Sequence, residues 1–125
     1  MARILIAEDE VTLNAMCARA LTIDGHDVET ACDGGEALEV LTRQEGRFDL
    51  LLTDVRMPVM DGIALALAAA RDFPDLTILL MTGYADQRER AQGLDALIHD
   101  VISKPFSVAV LRGAVNEALA VKARG

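Results

Sequence analysis

The sequence has no tryptophan, one tyrosine and three phenylalanines. Single-stranded nucleic acids are gripped by stacking bases on aromatic rings, so a chain this poor in them offers no stacking platform. Its core must be aliphatic. Basic residues are also scarce, with 12 Lys and Arg against 20 Asp and Glu and a formal charge of −8. A phosphate backbone would repel that balance, which points to proteins or cations as partners and away from direct DNA or RNA binding. No apolar run approaches the roughly 20 residues needed to span a bilayer. The start also lacks the charged n-region and apolar h-region of an export signal, so a soluble, cytoplasmic protein without membrane contact is expected. Its two cysteines, Cys17 and Cys32, show no metal-ligand spacing and are expected to be reduced, small core residues.

What the chain does contain is an ordinary globular balance, 52% hydrophobic and 26% charged over 125 residues. That length suits one domain, residues 1–125, which folds without staples. Short apolar runs alternate with helix-period segments, the pattern of parallel strands joined by crossover helices. Arg3 to Ala7 reads as a strand that ends at Glu8-Asp9-Glu10. Beyond it Leu13, Met16, Cys17, Ala20 and Leu21 recur at helical spacing, until Asp24-Gly25 stops the helix. A short strand near Asp27–Ala31 leads through Asp33-Gly34-Gly35 into a second helix carrying Ala37, Val40 and Leu41.

Leu50-Leu51-Leu52-Thr53 is apolar without alternation, as a central strand covered on both faces should be, and it runs into Asp54. Met57 to Gly62 reads as a loop and Ile63–Phe73 as a helix closed before Pro74. Thr77 to Thr82 is the next strand. A polar helix over Asp86–Leu97 follows, then the strand Val101-Ile102-Ser103 ending at Lys104-Pro105. A last helix has Val108, Leu111, Val115, Ala118 and Leu119 on one stripe.

Several strands thus end in chemically capable residues: Glu8 and Asp9, Asp54, Thr82, Lys104. In an open parallel sheet the carboxyl ends of the strands share one edge, where ligands bind at the topological switch point. Crowded carboxylates need a counter-charge, since like charges about 4 Å apart repel by roughly 4 kcal/mol at an effective dielectric near 20. Mg²⁺ suits the task, because it takes oxygen ligands and leaves positions open for phosphate oxygens. Asp54, at the tip of the central strand, is best placed to be a nucleophile that forms an acyl phosphate. Lys104 and the Thr82 hydroxyl can then neutralise and hydrogen-bond the phosphoryl oxygens.

The segments Leu5-Ile6-Ala7-Glu8-Asp9-Glu10, Leu52-Thr53-Asp54-Val55-Arg56-Met57-Pro58-Val59-Met60-Asp61-Gly62, Met81-Thr82-Gly83-Tyr84 and Ser103-Lys104-Pro105-Phe106 together resemble the receiver domain of response regulators. The resemblance runs over the whole chain in order and spacing. It implies an α/β fold with a doubly wound, five-stranded parallel sheet in the order 2-1-3-4-5, flavodoxin-like. It also implies that Asp54 accepts a phosphoryl group from a histidine kinase or a histidine phosphotransfer protein. In that scheme Asp9 ligates Mg²⁺ directly, Glu8 acts through a water, the backbone carbonyl of Arg56 completes the shell, and Thr82 and Lys104 carry the switch. A cis Lys104-Pro105 bond is part of the pattern. The protein would be a switch and no enzyme beyond its own phosphorylation and dephosphorylation.

Some positions depart from the commonest pattern of the receivers it resembles. The residue three before the lysine is usually aromatic and swings inward on activation, but here it is Val101, so that readout is unavailable. Tyr84 either takes over part of it or is a surface residue. Gly83 replaces the more usual Ala. Arg56 and Tyr84 hold the positions that tune autodephosphorylation, where a bulky pair would shield the phosphoryl group. Arg88 and Arg90 belong to a solvated helix face, the face on which receivers meet partners.

The segments Leu65 to Arg71 and Gly83 to Ala91 look most like the stand-alone alpha-proteobacterial cell-cycle receivers of the CpdR type. That resemblance implies a phosphorylation-controlled adaptor that engages the ClpX unfoldase of the ClpXP protease. Some of those receivers end in Ala-Ala and are themselves degraded, whereas this sequence ends Arg124-Gly125. No output domain is expected after the last helix, which leaves protein contact as the output. Competing readings are a phosphate shuttle, a receiver acting on another protein target, and a constitutive interaction module that is never phosphorylated. An aspartyl-phosphate hydrolase would carry a second Asp two residues after Asp54, where this chain has Arg56. His26 and His99 have no paired ligand or acid at a telling distance and read as structural or surface residues.

Overall fold

The computed structural model describes residues 2–83, 91, 93, 94 and 96–124. The strands are β1 (Arg3–Ala7), β2 (Asp27–Ala31), β3 (Leu50–Asp54), β4 (Thr77–Thr82) and β5 (Asp100–Ser103). They pair in parallel as a five-stranded sheet in the order β2-β1-β3-β4-β5, the expected doubly wound arrangement. The helices with described boundaries are α1 (Val11–Ile23), α2 (Gly34–Arg43), α3 (Gly62–Asp72) and α4 (Val108–Arg124).

Alternation along the central strands divides the core in two. Ile4, Ile6, Leu50, Leu52, Leu79 and Met81 pack with Cys17 and Leu21 of α1 and Leu111, Val115 and Ala118 of α4. Their neighbours Leu5, Leu51, Ile78 and Leu80 face the other way, against Ala37, Val40 and Leu41 of α2 and Leu65, Ala66 and Ala69 of α3. Both faces are dry, which explains why β3 reads as an unbroken apolar run. An ion pair between Arg112 and Asp24 joins α4 to the end of α1. Gly25, at φ +94, makes the left-handed turn that follows.

Two helices start on side-chain caps. Asp33 accepts a hydrogen bond from the Glu36 N–H at 2.7 Å, and Asp61 accepts one from the Ala64 N–H at 2.8 Å. Each satisfies a backbone donor that the first helical turn leaves unpaired.

The Lys104-Pro105 bond is cis. His26 Nδ1 accepts the Ala2 N–H, and His99 Nε2 lies 3.7 Å from Glu117 Oε1; both histidines are half-buried. The expectation for the cysteines holds only for Cys17. Both thiols are free, but Cys32 is exposed. It follows β2, an edge strand only partly buried, and so falls in the turn outside the core. The helix expected over 86–97 lies mostly outside the described residues; Ala91 and Leu94 are buried against the α2/α3 side of the core. No helix among the described residues is long and apolar enough to cross a membrane.

Candidate functional site

Parallel pairing carries the ends of β1, β3, β4 and β5 to one edge of the sheet. Glu8 continues the side of β1 that holds Ile4 and Ile6, and Asp54 continues the side of β3 that holds Leu50 and Leu52. The two carboxylates therefore emerge on the α1/α4 side. Glu8 is 1% exposed and Asp54 6%, with the more exposed Asp9 beside them. Carboxylate oxygens of Glu8, Asp9 and Asp54 all lie within 4.8 Å of one another.

Lys104 reaches into this cluster from the end of β5. Its ammonium donates to Glu8 Oε1 at 2.7 Å and to Asp54 Oδ2 at 2.9 Å. The second oxygen of each carboxylate is held by the backbone: Glu8 Oε2 accepts the Glu10 N–H at 3.0 Å and Asp54 Oδ1 accepts the Val55 N–H at 2.8 Å. Burial works against the Lys104 charge, yet the bonds to Glu8 and Asp54 prevail and raise its pKa above the usual lysine value. Asp9 is raised as well, first by burial and then by its hydrogen-bonding contact with Glu8. One ammonium thus faces three carboxylates, and the cluster keeps an excess of negative charge.

That excess, with a donor set made only of oxygens, fits a hard divalent cation of the Mg²⁺ type. Glu8, Asp9 and Asp54 are the residues that could hold it. Beside them opens a cavity of about 560 Å³, with Asp54, Lys104 and Arg56 at its polar end and Leu13, Met16 and Phe106 along its apolar wall.

The remaining expected residues are placed unevenly. Thr82 is 2% exposed; it stands one residue beyond Met81, the register partner of Asp54, and its carbonyl accepts the Lys104 N–H at 2.7 Å. Arg56 is exposed at the cavity rim. Val101 is half-buried in β5 opposite Leu80, and its packing against the α2/α3 core leaves no aromatic group at that position. Tyr84, Arg88 and Arg90 lie outside the described residues.

Sequence reasoning passed over Asn14. Its amide donates to the Glu8 carbonyl at 2.9 Å and to the Ala31 carbonyl at 3.1 Å. The available signal was a polar residue three and seven positions before Cys17 and Leu21, on the stripe that enters the core. Gly62 was read only as part of a loop. In the structure its N–H donates to the Val55 carbonyl at 2.7 Å, and a Cβ there would collide with the Asp54 carbonyl. The Asp61-Gly62 pair thus both caps α3 and lets it start directly against the backbone of Asp54.

Comparison with known proteins agrees with this geometry. The model of the response regulator receiver domain family matches residues 4–116. The response regulator MprA of Mycobacterium leprae is 37% identical over 117 residues, 94% of this chain and 50% of that protein. The transcriptional regulatory protein TcrA of Mycobacterium tuberculosis is 35% identical over 85% of this chain and 41% of its own length. The chain spans about half the length of the curated relatives it matches. Among solved structures, a CheY-like receiver domain protein from Methanospirillum hungatei superposes with a TM-score of 0.89 at 28% identity, covering 99% of this chain and 98% of that one. TrrA from Thermotoga maritima, solved in complex with Mg²⁺-BeF, gives 0.81 at 27% identity, covering 94% and 99%.

Proposed function

This chain belongs to the response regulator receiver domain family, and from that premise we propose that Asp54 is its phosphoacceptor and that phosphorylation switches the protein's contacts with other proteins. The observation that carries the proposal is the bidentate grip of Lys104 on Glu8 and Asp54 at the mouth of the cavity. A histidine kinase or histidine phosphotransfer protein supplies the phosphoryl group. A carboxylate oxygen of Asp54 attacks the phosphorus of a phosphoimidazole, the P–O bond forms as the P–N bond breaks, and the leaving nitrogen takes the electron pair and then a proton. Asp9, Asp54, the Arg56 carbonyl and, through a water, Glu8 would hold Mg²⁺, which would supply positive charge for the phosphoryl oxygens; that TrrA was solved in complex with Mg²⁺-BeF supports a Mg²⁺ in this chain.

The chain's own residues do the rest. The Val55 N–H orients the carboxylate by holding Asp54 Oδ1. Lys104 is a cation already at the site, and it follows the new charge when up to two negative charges arrive on Asp54. The Thr82 hydroxyl donates to a phosphoryl oxygen. Because Lys104 continues β5 and its N–H is bonded to the Thr82 carbonyl, movement of either residue is transmitted to the other strand end. The surface around β5 and α4 then changes affinity for its partner.

Two outputs follow from different observations. The likeness of residues 65–71 and 83–91 to CpdR-type receivers favours an adaptor that engages ClpX of ClpXP in a phosphorylation-dependent way, within the cytoplasm. The transcriptional regulator TcrA among the relatives favours control of transcription through a segment beyond the receiver. Affinity capture with wild-type protein, with and without a small phosphodonor, and with Asp54→Asn, tests the switch and names its partner. Retention of a protein that differs between the phosphorylated and unphosphorylated wild type, and does not change for Asp54→Asn, is expected. Identical retention in all three would overturn the switch.

Lys104 has a further consequence. An ammonium bonded to two of the candidate metal ligands competes with a divalent ion and repels it. Lys104→Met is therefore expected to tighten Mg²⁺ binding by about tenfold, equivalent to about 1.4 kcal/mol, while the phosphorylation-dependent change in partner affinity disappears. Isothermal titration with Mg²⁺ checks the first effect and capture of the partner the second.

A further inference from the structure

We infer that Asn14 is the positioning residue of the acidic turn: its amide clamps the ends of β1 and β2 together and so sets where Glu8 and Asp9 present their carboxylates. The inference rests on the reading of Glu8, Asp9 and Asp54 as a divalent-cation site.

The turn from Glu8 to Glu10 leaves the sheet at the point where its backbone loses strand partners. A chain end of this kind is ordinarily free to move, and carboxylates on it would be held loosely. Here each exit is tied. The Glu8 N–H donates to the Ala31 carbonyl at 3.1 Å, the last cross-strand bond toward β2. Asn14 then reaches back from the first turns of α1, and its Nδ2 donates to that same Ala31 carbonyl at 3.1 Å and to the Glu8 carbonyl at 2.9 Å. The Asn14 N–H donates to the Glu10 carbonyl at 2.9 Å as the first helical bond of α1, so the helix backbone ties the far end of the turn and the Asn14 amide the near one.

The chemistry explains why an amide fits. Two carbonyl oxygens are the atoms to be satisfied, and a carboxamide nitrogen carries two N–H donors on one planar group. An aspartate at this position would offer acceptors to acceptors. A leucine would take this donor from the Glu8 carbonyl and leave the Ala31 carbonyl with the Glu8 N–H alone. Asn14 touches no candidate ligand oxygen in these contacts; it acts on the backbone that carries them. Groups that orient metal ligands from behind typically change affinity by about 10- to 100-fold when removed.

The test compares Mg²⁺ dissociation constants, by isothermal titration of the full chain, in the wild type, Asn14→Ala and Arg3→Ala. Arg3 sits at the opposite end of β1, where it pairs with Asp27 and Glu29. Its loss should lower the melting temperature without touching the acidic turn. The expected result is a dissociation constant about tenfold weaker for Asn14→Ala and within twofold of wild type for Arg3→Ala. A value within twofold of wild type for Asn14→Ala, with a lower melting temperature alone, makes the residue merely structural and overturns the inference while the metal site stands. A comparable weakening in Arg3→Ala overturns it too, because the effect would then track stability. A wild type that binds no Mg²⁺ removes the site itself and the inference with it. Should Asn14→Ala not fold, Asn14→Ser, which keeps one shorter donor and adds no charge, is expected to weaken binding in the same direction.

Discussion

Asp54→Asn is expected to slow phosphoryl incorporation by on the order of a thousandfold or more while leaving the fold intact. The size of the effect follows from what the substitution changes. An amide of the same shape keeps an oxygen for the Val55 N–H, now bonded to Asp54 Oδ1 at 2.8 Å, so the end of β3 has no reason to move. The anionic oxygen that would attack phosphorus is gone. Its replacement NH₂ would face the Lys104 ammonium donor to donor, leaving Lys104 to Glu8 alone. Removing one of three crowded carboxylates also relieves repulsion, so melting temperature should hold or rise. A time course of intact mass with a small phosphodonor and Mg²⁺, beside a melting curve, measures both. Incorporation at the wild-type rate would assign the acceptor elsewhere, with Glu8 and Asp9 next in line.

Gly62→Ala is expected to destabilise the protein by about 2–3 kcal/mol and to slow phosphorylation by roughly a hundredfold. A Cβ on Gly62 would strike the carbonyl oxygen of Asp54, with the Asp54 carbonyl carbon at 2.8 Å and the Val55 Cα at 2.9 Å. These are backbone atoms and cannot swing aside as a flexible side chain would. Relief requires either the start of α3 or the tip of β3 to shift. The second displaces the Asp54 carboxylate relative to Lys104 and the acidic turn. Gly113 provides the contrast, since it lies inside α4 with nothing within 4 Å of an added Cβ. Gly113→Ala should stabilise by about 0.5–1 kcal/mol, because alanine restricts the unfolded chain and favours the helix. Urea unfolding of the two variants separates a steric effect at Gly62 from a general effect of replacing glycine. Equal midpoints for both would mean that the approach of α3 to Asp54 is looser than the structure has it.

Much of this architecture was legible from residue order alone. The runs at Leu50 to Thr53 and Thr77 to Thr82 could be read as buried central strands because both faces are covered, which removes the polar half of the usual alternation. The convergence of Glu8, Asp9, Asp54 and Lys104 was also readable, since parallel strands bring their carboxyl ends to one edge whatever lies between them. What escaped was decided by contacts between residues distant in the chain. Cys32 looked like core by composition, but β2 is the edge strand and the residue after it has nothing to pack against. Asn14 drew no reading from the sequence, and only the joining of β1 to β2 puts two carbonyls within its reach. Gly62 looked like a loop former. The need for a bare Cα appears only once α3 is docked onto Asp54.

Lys104 shows the same division. Its position at the end of a strand marked it as a candidate site residue, and the sheet order placed it near the carboxylates. That one ammonium would span both Glu8 and Asp54, partners 96 and 50 residues away, is a fact of tertiary structure. It also changes the chemistry: the lysine is a resident counter-ion of the acidic cluster.

The central claim is that a cation-dependent acyl phosphate forms on the carboxylate at the tip of β3. The direct measurement is intact mass followed by peptide mapping of wild-type protein incubated with a small phosphodonor, with Mg²⁺ and with the metal chelated. One phosphoryl group mapping to Asp54, present with Mg²⁺ and absent without it, is the predicted result. No mass gain, a gain that ignores chelation, or a phosphoryl group mapping to another residue would contradict the account.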